Sequence, residues 1–96
     1  MPTYVTLIHY TEQGVKTFKD LKSRLDETRR AGETLGAKLI AFYLTMGQYD
    51  AVVISEAPDD ATVAKLALAA GGRGNVRTET LRAFDEDEAM RIAEEL

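Results

Sequence analysis

The stretch LIAFYLTMGQYDAVVISE, residues 39–56, decides the fold. It holds two runs rich in β-branched and aromatic residues, 39–46 and 49–56, and such runs are typical of strands. Gly47 and Gln48 lie between the runs, a spacing that suits a hairpin with a glycine-containing turn. The sequence therefore predicts two strands that pair antiparallel.

Towards the N-terminus, residues 3–10 form another short β-branched and aromatic run, followed by a turn signal at residues 11–14. This run predicts the first strand. From Val15 the apolar residues recur three, four or seven positions apart, the period of an amphipathic helix, and Gly36 supplies its C-terminal stop. The polar residues 19–24 and the surroundings of Gly32 leave open a kink or a later start.

Towards the C-terminus, the sequence predicts a second crossover helix and a fourth strand. Asp59 or Asp60 can cap the helix, and Gly71 and Gly72 end it. Residues 76–84 then have the composition of a strand.

A final helix is predicted from residue 85 to the end of the chain. Asp85 is followed three residues later by Glu88, a spacing that resembles a capping box. The element order is then β-α-β-β-α-β plus a helix. Because such crossovers are short and right-handed, this order predicts an α+β fold of the ferredoxin-like type with a four-stranded antiparallel sheet.

The composition limits the classes of function. The chain has 96 residues, which fits a single domain over residues 1–96 with a thin core. It has no cysteine and a single histidine, so we predict no thiol chemistry, no metal and no cofactor. The net charge of -4 disfavours nucleic acid, and no apolar run is long enough for a membrane span. We therefore predict a cytoplasmic protein with neither partner.

Both faces of the predicted hairpin are apolar. In its first strand Ile40, Phe42, Leu44 and Met46 share one parity, and Leu39, Ala41 and Tyr43 share the other. A solvated monomer would carry polar residues on the face that the helices leave open, whereas an exposed apolar face usually marks an interface. We predict a homo-oligomer, a dimer or higher. The alternative is that the C-terminal helix folds back over its own sheet, which about ten residues would cover only in part.

Four segments of the chain resemble the GYD domain family. They are YVTLI (4–8), FYLTMGQYDAVV (42–53), APDD (57–60) and GNVRTETLRAF (74–84). Here Gln48 stands between the Gly and the Tyr that name the family. The resemblance covers nearly the whole chain. It implies the fold of the dimeric α+β barrels, and it implies no activity because GYD proteins have no settled one.

A more distant similarity is to the effector-binding domain of leucine-responsive regulators, which has the same Gly-x-Tyr-Asp hairpin before an apolar strand. Those domains assemble through their sheets and bind small metabolites between subunits. Without the helix-turn-helix that precedes them, this chain is expected to be a stand-alone module.

The candidate catalytic residues are His9 and Asp50. Asp50 begins an apolar strand, where desolvation can raise the pKa of a carboxyl, and His9 lies near the end of the neighbouring first strand. A histidine oriented by a carboxylate is a common arrangement for proton transfer. The alternative, which we favour, is that Asp50 accepts hydrogen bonds from the turn backbone and His9 is only a packed or solvated side chain.

The candidate ligand-binding residues are Tyr10, Tyr43, Gly47, Gln48 and Tyr49. Tyrosines on central strands can give a pocket an apolar wall with polar tips, although they also pack in cores and interfaces. The glycines of residues 71–74 follow a helix instead of preceding one, so we favour helix termination over an anion cradle.

Three functions remain open at this stage. The first is a homo-oligomeric module that binds a small molecule or a partner protein at a subunit-interface cleft near residues 47–50. The second is a cofactor-independent enzyme in which His9 and Asp50 transfer a proton. The third is a purely structural assembly subunit. The enzyme needs both side chains within hydrogen-bond reach around a pocket, and the binding module needs the pocket alone.

Overall fold

The computed structural model describes all residues, 1–96, and consists of one sheet and four helices. In chain order the elements are β1 (Thr3–Tyr10), α1 (Glu12–Lys16), a 3₁₀ turn (Phe18–Asp20), α2 (Leu21–Thr34), β2 (Lys38–Leu44), β3 (Ala51–Glu56), α3 (Asp60–Gly72), β4 (Val76–Ala83) and α4 (Glu86–Glu94). The strands lie in the order β2-β3-β1-β4, and every neighbouring pair is antiparallel. This arrangement confirms the predicted ferredoxin-like α+β fold.

The hairpin of β2 and β3 contains a bulge that the sequence does not indicate. Leu39 pairs with Ser55, whereas Ala41 pairs with Ile54, so Ile40 is an extra residue in β2. Leu39 therefore lies on the face opposite to Ala41. The simple parity that grouped Leu39 with Ala41 and Tyr43 is wrong, because one inserted residue moves a side chain to the other face.

The first crossover consists of two helices, and the turn predicted at residues 11–14 is the start of the first. Thr11 caps α1, its Oγ1 accepting from the N–H of Gly14 at 3.1 Å. The chain then bends through the 3₁₀ turn, where the Arg24 guanidinium donates to the carbonyl oxygen of Thr17 at 2.6 Å. A Cβ on Gly14 would lie 2.1 Å from the carbonyl oxygen of Asn75, so this close approach requires glycine.

The caps of the last two helices agree with the prediction. Asp59 caps α3 by accepting from the N–H of Thr62 at 2.9 Å. Asp85 and Glu88 form the predicted capping box at the start of α4. As predicted, α3 ends at Gly71 and Gly72. Thr11 donates to the carbonyl oxygen of Gly74 at 2.6 Å.

The helices α2 and α3 cover one face of the sheet, which we call the helix face. The core between these layers is thin, since 8 of 96 residues are buried; Tyr4, Ala37, Ala57 and Val63 form its main cluster. The hydroxyl of Tyr4 donates to the Asp60 carboxylate, which joins β1 to the start of α3 and raises the pKa of Tyr4.

The C-terminal helix α4 projects from the domain. All its residues except Glu88 are exposed. It is held at its start, where the Arg82 guanidinium lies 4.5 Å from the ring centroid of Phe84 and 3.9 Å from the Glu88 carboxylate. The radius of gyration is 14.3 Å, larger than the roughly 12.5 Å of a compact chain of this length. The helix does not fold back over its own sheet.

Candidate binding surface

The face of the sheet opposite the helices, called here the open face, has two mostly apolar central rows and no element of the chain over it. Strand register places Ala41, Ile54, Val5 and Leu81 in one row across it, and Tyr43, Val52, Leu7 and Glu79 in the next. On the two edge strands, Tyr43 is 61% exposed and Leu81 47% exposed. A continuous apolar surface of this kind is typical of an interface.

A polar cluster closes one end of the open face. The ring centroids of His9 and Tyr49 are 4.8 Å apart, with the planes tilted by 40°. The Tyr49 hydroxyl donates to Oε2 of Glu79 at 2.6 Å, and this hydrogen bond to a carboxylate raises the pKa of the phenol. Tyr49 thus reaches from the start of β3 across β1 to β4. We call His9, Tyr49 and Glu79 the rim cluster.

Asp50 lies beside this cluster and is held by the backbone. Its Oδ2 accepts from the N–H of Tyr10 at 2.8 Å, and its own N–H donates to the carbonyl oxygen of Ile8 at 2.8 Å. No hydrogen bond joins His9 to Asp50; the histidine ring packs against Tyr49 instead. The Asp50 carboxylate therefore binds the backbone of β1, not the turn backbone as expected, and a catalytic role for the two residues stays a prediction.

The connection between β2 and β3 is a loop of residues 45–50, longer than the two-residue turn predicted. The Thr45 hydroxyl donates to the carbonyl oxygen of Tyr49 at 2.6 Å, and the Thr45 N–H donates to the carbonyl oxygen of Asp50 at 2.8 Å. Between these contacts Met46 is 98% exposed, and Gly47 has a φ of 105°, a conformation that favours glycine. The loop presents an apolar tip next to the rim cluster.

The sheet separates the tyrosines that were predicted to share a pocket. Tyr43 and Tyr49 lie on the open face, whereas Tyr10 lies on the helix face, where its ring meets that of Phe18 edge-on at 5.2 Å. Burial raises the pKa of Tyr10. Gly47, Gln48 and Tyr49 are consecutive residues of the loop, and their role in ligand binding stays a prediction.

Sequence reasoning missed Glu79. Alternate residues of a strand share a similar environment. Nothing in residues 78–83 (TETLRA) marks Glu79 as the partner of a tyrosine 30 residues away. The only signal was the strand order, which puts β4 beside β1 and so within reach of the hairpin.

The structure has no group of three or more His, Cys, Asp or Glu side chains placed to hold a metal ion. None of its helices has both the length and the apolar character needed to cross a membrane.

Comparison with known proteins identifies the family first. The family model of the GYD domain matches residues 4–93, and the chain therefore belongs to the GYD domain family. A relative from Thermus thermophilus is 38% identical over 85 residues, which are 88% of this chain and 90% of the relative. That relative is named a glutamine synthetase and cystathionine beta-lyase binding protein.

Proposed function

We propose that this protein is a homo-oligomeric module that binds an enzyme. Two copies pack through their open faces, and the loop of residues 45–50 with the rim cluster forms the surface that meets the partner. The observation that carries the proposal is the apolar open face, which no part of the same chain covers.

The placement of apolar side chains supports self-association. Val5, Leu7, Val52 and Ile54 lie on the two central strands and face away from the helices. Leaving such side chains in water costs about 25 cal/mol for each Å² of apolar surface. Two open faces related by a two-fold axis would present the same rows to each other, as an isologous interface requires.

The relative supports a protein as the partner. Its name states that it binds glutamine synthetase and cystathionine beta-lyase, and it aligns with nearly the whole of this chain. We therefore propose these two enzymes as partners of this protein too. Methionine and aromatic side chains are enriched in protein interfaces, and the loop carries both Met46 and Tyr49.

The test is a binding measurement with purified glutamine synthetase and cystathionine beta-lyase from the same cell, by biolayer interferometry, after light scattering has given the subunit count. We expect saturable binding to at least one enzyme. Met46→Glu should weaken it at least about tenfold by placing a charge at the contact. Leu68→Glu is the matched control, because Leu68 is 77% exposed on α3, far from the loop. Absence of binding by the wild type at about 100 μM of either enzyme would refute the partner assignment.

A further inference from the structure

A cavity of about 160 Å³ lies between the helices and the helix face of the sheet. Its walls come from α2, α3 and all four strands, and most of its lining is hydrophobic. An engineered cavity of about 150 Å³ with apolar walls stays dry and binds benzene. This space is therefore large enough for a small aromatic molecule.

The cavity exists because small side chains line it. On the sheet side, Thr6, Ser55, Thr78 and Thr80 occupy positions where Leu or Ile would fill the space. On the helix side, α3 contributes the small Ala67. Since small side chains meet from both layers, the sequence builds the cavity at this place.

Two hydroxyls in the cavity are available to a ligand. The hydroxyls of Thr6 and Thr80 are 3.4 Å apart and can pair with each other. The hydroxyls of Ser55 and Thr78 form no hydrogen bond within the chain. Neither hydroxyl oxygen is fully buried without a partner. Arg24 also borders the cavity, but its guanidinium is held by backbone oxygens of α1 and the residue after it. The site therefore offers hydroxyls to a neutral ligand and no free guanidinium to an anion.

The cavity adjoins a groove beside the edge of the sheet. A groove between α3 and the edge strand β4 shares Val63, Ala67, Val76, Thr78 and Thr80 with the cavity lining. The outer edge of β4 has no neighbouring strand, and α3 ends in two glycines. A small movement of α3 would connect the groove to the cavity.

We propose that each subunit binds a compact, neutral, apolar molecule with one hydrogen-bonding group, of the size of phenol, in the cavity between the helices and the sheet. The apolar body packs against Leu25, Phe42 and Leu66, and the polar atom meets Ser55 or Thr78. The site is on the opposite face of the sheet from the rim cluster, so it is independent of the proposed partner surface.

The first test uses phenol and benzene as probes of the wild-type protein, with methyl NMR to locate them. Either probe should shift the methyl signals of Leu25, Val63 and Leu66 in a saturable way, at one molecule per chain. The methyl signals of Leu7 and Val52 on the open face should not move. Shifts confined to the open face, or no saturable shift with either probe, would overturn the proposal.

The second test fills the cavity. Ala67→Leu should weaken phenol binding at least about tenfold without lowering the melting temperature, because the added side chain occupies an existing void. Ala69→Leu, on the exposed side of the same helix, is the matched control and should bind as the wild type does. Equal phenol binding by wild type and Ala67→Leu would contradict the site.

The third test concerns the polar group. Ser55→Ala combined with Thr78→Val removes both hydroxyls with little change in volume. We expect phenol to lose its preference over benzene, a change of about threefold to tenfold, while benzene binds as before. A preference for phenol that survives in the double variant would place its hydroxyl elsewhere and contradict the proposed contact. Either result leaves the enzyme-binding experiment unaffected.

Discussion

Each face of the sheet contains some residues that are more usual on the other face. The helix face is covered, yet it carries Thr6, Ser55, Thr78 and Thr80. The open face is uncovered, yet its central rows are Val5, Leu7, Val52 and Ile54. In a solvated monomer the hydroxyls would face water and the aliphatic side chains would face the helices. The single chain therefore explains neither face. The open face has no element packed on it, and the helix face does not fill the space below the helices.

The largest expected effect is the loss of self-association in Val52→Glu. Val52 lies in the middle of the open face, and a two-fold interface would bring two unpaired carboxylates into an apolar contact. We expect dissociation to monomers, with at least about a 100-fold weaker association. Sedimentation velocity over a range of concentrations measures it.

The same change at an exposed valine is the control for this experiment. Val15 is 62% exposed on α1, so Val15→Glu should keep the wild-type mass. If Val52→Glu also keeps that mass, the open face is not the interface between copies.

A smaller effect, on stability alone, is expected on the covered side. Val63 is 8% exposed in the core cluster of α3. Val63→Ala should lower the free energy of unfolding by about 1–2 kcal/mol and leave the association constant unchanged. Urea unfolding in the Val52→Glu background separates the two quantities, because stability is then free of the subunit equilibrium. A shift in association with Val63→Ala would mean that the two faces are coupled through the sheet.

Most of the fold could be predicted from patterns between residues close together in the sequence. Asp59 and Asp85 cap their helices through contacts three residues away, so the residues that decide these starts were close together in the sequence. The β1 strand and the hairpin were predictable for the same reason. The prediction of each strand depended on its composition and on the turn that follows it. Both β1 and the hairpin pair with the strands that were predicted.

The features that depend on distant contacts were not predictable. The bulge at Ile40 is set by pairing with β3, and because residues 39–44 are apolar on both sides, no alternation marked it. The break after α1 depends on Arg24 meeting the Thr17 backbone. In the candidate site, Tyr10 and Tyr43 lie on opposite faces of the sheet, which composition alone does not indicate.

Substitution of Asp50 is expected to have an intermediate effect on stability. Two variants separate the contribution of its acceptor oxygen from that of its negative charge. Asp50→Ala removes the acceptor of the Tyr10 N–H and should cost about 1 kcal/mol of stability, with faster amide exchange at Tyr10. Asp50→Asn keeps an acceptor oxygen of the same shape and should lose less. Hydrogen exchange followed by NMR checks both. If Asn protects Tyr10 no better than Ala does, the negative charge of Asp50 is what strengthens this hydrogen bond.

The smallest expected effect tests how firmly α3 is held over the helix face. Hydrogen bonds from the Thr62 hydroxyl and the Thr62 N–H lower the pKa of Asp59. Because the folded pKa is below that of the unfolded chain, the stabilisation is complete above the ordinary aspartate value of 3.8 and is lost as the pH falls through the folded value. Asp59→Ala should therefore be less stable than the wild type near neutral pH, and the difference should shrink in acid. Asp20→Ala is the matched control, since Asp20 precedes α2 without a side-chain capping bond, and its difference from the wild type should not follow that pattern. Thermal unfolding from about pH 7 to about pH 3 measures both, and a constant difference for Asp59→Ala would show that its cap contributes through shape and not through charge.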